Sequence, residues 1–153
     1  MTIFVPYDGT TVSSAALERA QSLAYSLDEA LVVSTVVPRD RENALDHQWI
    51  TADETFDAKA IVSRFEARVA SLAPTAEFHP IVLAGRAQSG SIARRLRDVA
   101  RENGATLVVV GSDNIGRFVR PVNTVGGRVA ARLDTDLYVV QETEAEYPPI
   151  ATG

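Results

Sequence analysis

Two polar turns, each following a run of apolar and β-branched residues, hold the side chains of this chain best suited to chemistry. The first is Tyr7-Asp8-Gly9-Thr10-Thr11, after the run Thr2 to Pro6. A carboxylate just past a strand can accept hydrogen bonds from a base or a sugar, but an Asp-Gly pair is also ordinary turn chemistry. The second is Gly111-Ser112-Asp113-Asn114, after the run that begins at Ala105, where a buried strand delivers small polar residues to one edge of a sheet. Such a turn can orient backbone amides around an anion, and it is equally a common way to leave a strand. Further on, Asn123 and Thr124 carry side chains that cap helices, and Gly126 and Gly127 have no Cβ to hold a ligand off the backbone. A helix N-terminus of that kind suits a phosphate. Arg117 and Arg120 lie between the two polar groups, either as guanidinium donors to phosphate or as plain charged surface.

Other candidates are weaker. His47 and His79 stand without a partner at metal-ligand or triad spacing, and Trp49 reads as core cover rather than a base-stacking platform. The cluster Arg94, Arg95, Arg97 and Arg101 lacks interleaved aromatics and reads as a solvated helix face. Neither a Walker loop nor a Gly-x-Gly-x-x-Gly fingerprint occurs, so ATPase and dehydrogenase readings of those types drop out. With no cysteine, disulfides and thiolate metal sites are excluded. The net charge of −5 argues against nucleic acid or an anionic membrane as the main partner. Lys59 is the only lysine, a skew toward arginine that fits a GC-rich genome or a high-salt interior. The start shows no basic leader and no long apolar segment, from which we expect no signal peptide, no membrane span and a cytoplasmic location.

The elements that must position these turns follow from periodicity. Strands are expected at Thr2 to Pro6, Ala30 to Val37, Phe78 to Ala84, from Ala105, and at Leu137 to Gln141, with Pro80 placing the third at a sheet edge. Val12, Ala16, Ala20, Leu23, Ala24 and Leu27 mark a first helix. Arg39 to Gln48 has no clear period and reads as a surface loop. Thr51-Ala52-Asp53-Glu54 matches a capping box for a helix carrying Ile61, Phe65, Val69 and Leu72. Another helix holds Ile92, Leu96, Val99 and Ala100 inward, and a short one is expected over Val125, Val129 and Leu133. Residues 1–142 read as one domain, and the acidic tail 143–153, with Pro148-Pro149, is expected to be poorly ordered. Strands alternating with helices make an α/β, doubly wound, parallel five-stranded sheet with helices on both faces. In such sheets ligands bind beyond the carboxyl ends of the strands, here the ends of strands one, two and four, which carry Asp8, Val36 and Gly111.

These features together resemble the universal stress protein family over nearly the full length. The resemblance rests on the Val-Pro-Tyr-Asp-Gly-Thr start, the strand ending Thr35-Val36-Val37-Pro38, the Gly85 turn, and Leu-Val-Val-Val-Gly-Ser followed by Asn-Thr-Val and a closing Leu-Tyr-Val-Val strand. It implies strand order 3-2-1-4-5 and a homodimer through the last strand, Leu137 to Gln141. It also implies an adenine nucleotide, ATP or AMP, with Mg2+ if a triphosphate is bound. Nucleotide-binding members carry Gly-x2-Gly-x9-Gly-Ser/Thr. Gly111 matches the first glycine, Asn114 stands at the second, and the last pair falls on Thr124-Val125 or, with a loop one residue shorter, on Asn123-Thr124. By similarity Asp8 and Val36 would face the base and ribose, and Gly111, Ser112, Asn123 and Thr124 the phosphates. Enzyme activity beyond slow ATP hydrolysis is not expected, since no positioned general base accompanies these residues. The alternative is a member that has lost the nucleotide and acts as an interaction module, including with other stress-response proteins.

Overall fold

The runs richest in β-branched residues assemble the sheet. The computed structural model describes residues 1–86, 88–117, 121–123, 129–131, 135–141 and 144–152. Among them are seven strands: β1 (Thr2–Pro6), β2 (Ala30–Pro38), β3 (Glu77–Leu83), β4 (Ala105–Gly111), β5 (Pro121–Asn123), β6 (Val129–Ala131) and β7 (Asp136–Val140). Five of these form a sheet of order β3-β2-β1-β4-β7, in which every neighbouring pair is parallel. The expected order therefore holds, with β7 as the fifth strand. Pro80 pairs opposite Thr35 on edge strand β3, where its missing amide costs no ladder bond on the open side.

Side chains alternate across the sheet, which splits the core into two layers. Ile3, Val5, Val33 and Val37 meet Leu17 and Ala20 of α1 (Thr11–Leu27) and, further along, Ile61, Phe65 and Val69 from a later helix. Phe4, Val32 and Val36 face the other way, against Ile92, Leu96 and Ala100. The remaining helices are α2 (Arg41–Asp46), α3 (Ala58–Leu72), which supplies Ile61 to Val69, and α4 (Ser89–Glu102), which covers the second face. None is long and apolar enough to cross a membrane, among the described residues.

Three local expectations are corrected. Within the supposed loop Arg39 to Gln48 lies α2, capped by Asp40, whose carboxylate accepts from the Asn43 amide at 3.2 Å. Ala44 is its buried residue, too little to print a period on the sequence. Thr51 and Glu54 do pair, the Thr51 amide donating to Glu54 at 3.3 Å, but they close a turn. Helix α3 starts later, capped by Asp57 through the amides of Lys59 and Ala60. Glu54 is drawn instead to Arg64, whose two terminal nitrogens donate at 2.9 and 3.0 Å. Val129, expected in a short helix, lies in β6, antiparallel to β5 in a register that pairs Asn123 with Val129. Gly126-Gly127 between two β-branched segments is a hairpin signal that competes with the capping signal at Asn123-Thr124.

The end of the tail packs on the core. Ile150, in a 3-10 turn Ile150–Thr152, is 1% exposed within the larger core. Arg68 donates to the carbonyls of Pro148 and Pro149 at 2.7 and 3.2 Å, anchoring a segment whose prolines offer acceptors and no amide donors.

Candidate functional site

The chain leaves β1 through Asp8 and enters α1 three residues later, at Thr11, so the Asp8 carboxylate falls beside the first turn of that helix. Its Oδ1 accepts from the Thr10 amide at 3.1 Å, the Thr10 hydroxyl at 2.8 Å and the Ser13 hydroxyl at 2.7 Å. Thr10 meanwhile caps α1, its hydroxyl oxygen accepting from the Ser13 amide at 3.2 Å. An anion is favoured at a helix N-terminus, and here the chain supplies its own. Burial alone would raise the Asp8 carboxyl, but the hydrogen bonds from Ser13, Thr10 and Asn114 outweigh it and hold the group below the ordinary carboxylate value.

The Asn114 bond spans the sheet edge. Residues Ser112–Arg117 continue from β4 as a 3-10 turn, which places Asn114, 4% exposed, with its Nδ2 donating to Asp8 Oδ2 at 3.1 Å. The orientation of the amide follows, since a carboxylate can only accept. Asp8 Oδ2 takes no second bond among the described residues and keeps a lone pair for another donor.

Beneath this pair lies a cleft at the carboxyl ends of β1 and β2. It is lined by Pro6, Tyr7 and Asp8, by Val36 and Pro38, by Asn43, His47 and Trp49, by Ile92 and Leu96, and by Asn114. As it stands it encloses about 20 Å³, room for roughly one water molecule. Trp49 closes its floor, 2% exposed, with the indole N–H donating to the Asp8 carbonyl at 2.9 Å. His47 sits over Trp49, ring centroids 4.9 Å apart, its Nδ1 2.8 Å from the Asn43 carbonyl. That carbonyl can only accept, so Nδ1 carries a proton and donates it there.

The structure thus brings together Asp8, Val36 and Asn114 of the sequence-derived candidates. Gly111 and Ser112 are close in sequence but do not line the cleft. Gly111 is pressed onto α1, where a Cβ would lie 2.8 Å from Val12 Cγ1 and 3.1 Å from the Ser13 amide nitrogen. Its bareness is required by packing. Asn123 ends β5. Arg120, Thr124 and Val125 lie outside the described residues, as does the side chain of Arg117. Sequence reasoning passed over Thr10, Ser13, Asn43, and His47 as a cleft residue. The signal available for two of them was the pair of hydroxyls at Thr10 and Ser13, three residues apart and flanking a helix start. No group of three or more metal-ligating side chains occurs among the described residues.

The architecture and the sequence agree with a known family. The Universal stress protein family profile matches residues 1–141. No curated protein sequence matches. Among solved structures, a universal stress protein in complex with cAMP is 24% identical with a TM-score of 0.53, over 92% of this chain and 96% of its own. A universal stress protein from Archaeoglobus fulgidus in complex with dAMP is 17% identical with a TM-score of 0.56, over 92% and 97%. A family protein from Burkholderia pseudomallei is 21% identical with a TM-score of 0.50, over 91% and 94%. At these identities the structural likeness establishes the fold, and the profile match over residues 1–141 establishes the lineage: the chain belongs to the universal stress protein family.

Proposed function

We propose that the chain is a stress-response module that binds an adenine nucleotide, ATP or AMP, at the carboxyl ends of β1, β2 and β4. The observation that carries this reading is the Asp8 carboxylate, held ionised at the lip of the strand-end cleft with one Oδ2 lone pair free among the described residues. A lone pair there suits a ribose hydroxyl or an exocyclic amine, and Val36 offers an apolar wall for the ring. The relatives crystallised with cAMP and dAMP support an adenine ligand carrying one phosphate. The enclosed space of about 20 Å³ is far below the roughly 300 Å³ of a small-molecule site, so binding requires Asn114 or α2 to move aside. Ser112, Asn123, Thr124 and Val125, with Arg117 and Arg120, are the proposed phosphate side of the site. Mg2+ enters this reading only with a triphosphate. Isothermal titration with AMP, ADP and ATP tests it: heat with AMP is expected, and no heat with any of the three rules the nucleotide out.

A second reading is favoured by one feature of the same site. Asn114, in place of the family's second glycine, is 4% exposed and already bonded to Asp8. A member closed in this way is an interaction module without nucleotide. It predicts no heat in that titration and recovery of other stress-response proteins in a pull-down. Under either reading β7 lies at the open edge of the sheet, its side chains from Leu137 to Val140 half-buried, and is the proposed seam of a homodimer. Light scattering that returns the mass of a single chain would contradict the dimer.

A further inference from the structure

The tail beyond the family-matched residues touches the Asp8 turn from below. Gly9 is in the left-handed region, φ +83°, and lies so close to the tail that a Cβ there would stand 2.6 Å from Ile150 Cγ1 and 3.4 Å from Phe65 Cε1. One residue on, the Ala151 amide donates to the Gln48 carbonyl at 3.0 Å. The neighbouring Trp49 donates its indole N–H to the Asp8 carbonyl at 2.9 Å. The tail therefore meets this turn directly, through Ile150 against Gly9, and indirectly, through Ala151 bonded to Gln48 beside Trp49. Its own anchorage is separate from the cleft. Arg68 of α3 holds the Pro148 and Pro149 carbonyls, and the Tyr147 phenol is pushed up to about 12 by burial and by its bond to Glu18 of α1.

We infer that residues 147–152 form a clasp that positions Asp8, with Ile150 as the positioning residue beneath Gly9 and Trp49 as the link to the carboxylate's own backbone. A buried isoleucine that served stability alone would loosen the whole core when trimmed. A clasp loosens the Asp8 turn first, because Ile150 packs directly under Gly9 and its neighbour Ala151 is bonded to the Gln48-Trp49 segment. The clasp stands independently of the nucleotide reading.

Trp49 is the single tryptophan, so its indole N–H gives one resolved reporter in the full chain. The experiment compares the intact protein with Ile150→Ala, Ile150→Val and Arg68→Gln by hydrogen exchange and by NMR titration of the carboxyls. In Ile150→Ala the indole N–H is expected to exchange at least about tenfold faster than in the intact chain, while the Val109 amide in the buried centre of β4 changes less. The Asp8 titration midpoint is expected to rise toward the ordinary carboxylate value, Asp53 to stay where it is, and Ile150→Val to restore most of both signals. Arg68→Gln, which leaves Ile150 whole, is expected to shift the same two reporters less far, and it carries the test should Ile150→Ala not fold. Equal acceleration at Val109 and Trp49, or an Asp8 midpoint unchanged in every variant, overturns the clasp. AMP heat with the intact protein separates the two claims: its absence removes the nucleotide and leaves the indole and Asp8 readouts to decide the clasp.

Discussion

The turns after β1 and β4 look alike in sequence, a glycine among small polar residues at the end of a β-branched run, yet they are held by different means. Gly9 is needed for its backbone, in the left-handed region, and for the closeness of Ile150. Gly111 is not left-handed and is needed for space, because Val12 and the Ser13 amide stand where a Cβ would go. The first turn is thus braced by the tail and the second by the helix that the first turn begins. Asp8 and Asn114 join them across the sheet edge. A glycine at a strand end can therefore mark internal packing as readily as a place for a ligand, and only the surroundings tell the two apart.

Substituting each glycine by alanine tests that contrast most severely. Gly9→Ala meets both a strained φ and the 2.6 Å approach to Ile150, and is expected to lower stability by about 3 kcal/mol in urea unfolding. Gly111→Ala meets only the crowding, 2.8 Å to Val12 Cγ1 and 3.1 Å to the Ser13 amide nitrogen, and is expected to lose about 2 kcal/mol. Equal losses would erase the distinction. Asp8→Ala removes the acceptor of four donors, from Thr10, Ser13 and Asn114. Its expected loss is also about 2 kcal/mol, mostly from stranding the buried Asn114 amide, since the Ser13 hydroxyl keeps the Thr10 carbonyl as an acceptor at 3.1 Å.

Acid probes the same carboxylate. Asp8 titrates below its ordinary value of 3.8, so the folded state binds its proton less readily than the unfolded chain. Its contribution to stability is present above that ordinary value and is lost as pH falls through the lower, folded one. Asp8→Asn is expected to flatten this part of the stability profile, in the acid range at and below the ordinary carboxylate value, measured by thermal unfolding. A profile as steep as that of the intact protein would place the acid sensitivity elsewhere. The smallest stability change is expected for Asn114→Gly, about 1 kcal/mol, since one hydrogen bond is lost and both turns keep their own braces.

The sheet was legible because most of its strands are rich in β-branched residues and the stops of β1, β2 and β4, namely Pro6, Pro38 and Gly111, are strong breakers. Asp8, Val36 and Asn114 were legible as a group because strand ends of a doubly wound sheet converge on one edge. What could not be read were contacts made by single residues between distant segments. Helix α2 buries Ala44 and shows no period. The Thr51-Glu54 signal was real as a hydrogen bond, but Arg64, ten residues on from Glu54, decides what it closes. Ile150 is one apolar residue in a polar, proline-containing tail, and nothing local announces that Gly9 leaves room for it. Asn123-Thr124 followed by Gly-Gly carries both a capping and a hairpin signal, and the pairing of β5 with β6 resolves the choice at Val129.

The central claim is that the strand-end cleft is an adenine nucleotide site partly filled by Asn114. Isothermal titration of AMP into Asn114→Gly beside the intact protein tests it most directly. Removing the wedge and freeing Asp8 Oδ2 is expected to tighten AMP binding about tenfold, equivalent to roughly 1.4 kcal/mol. No heat from either protein, or weaker binding by Asn114→Gly, would contradict it.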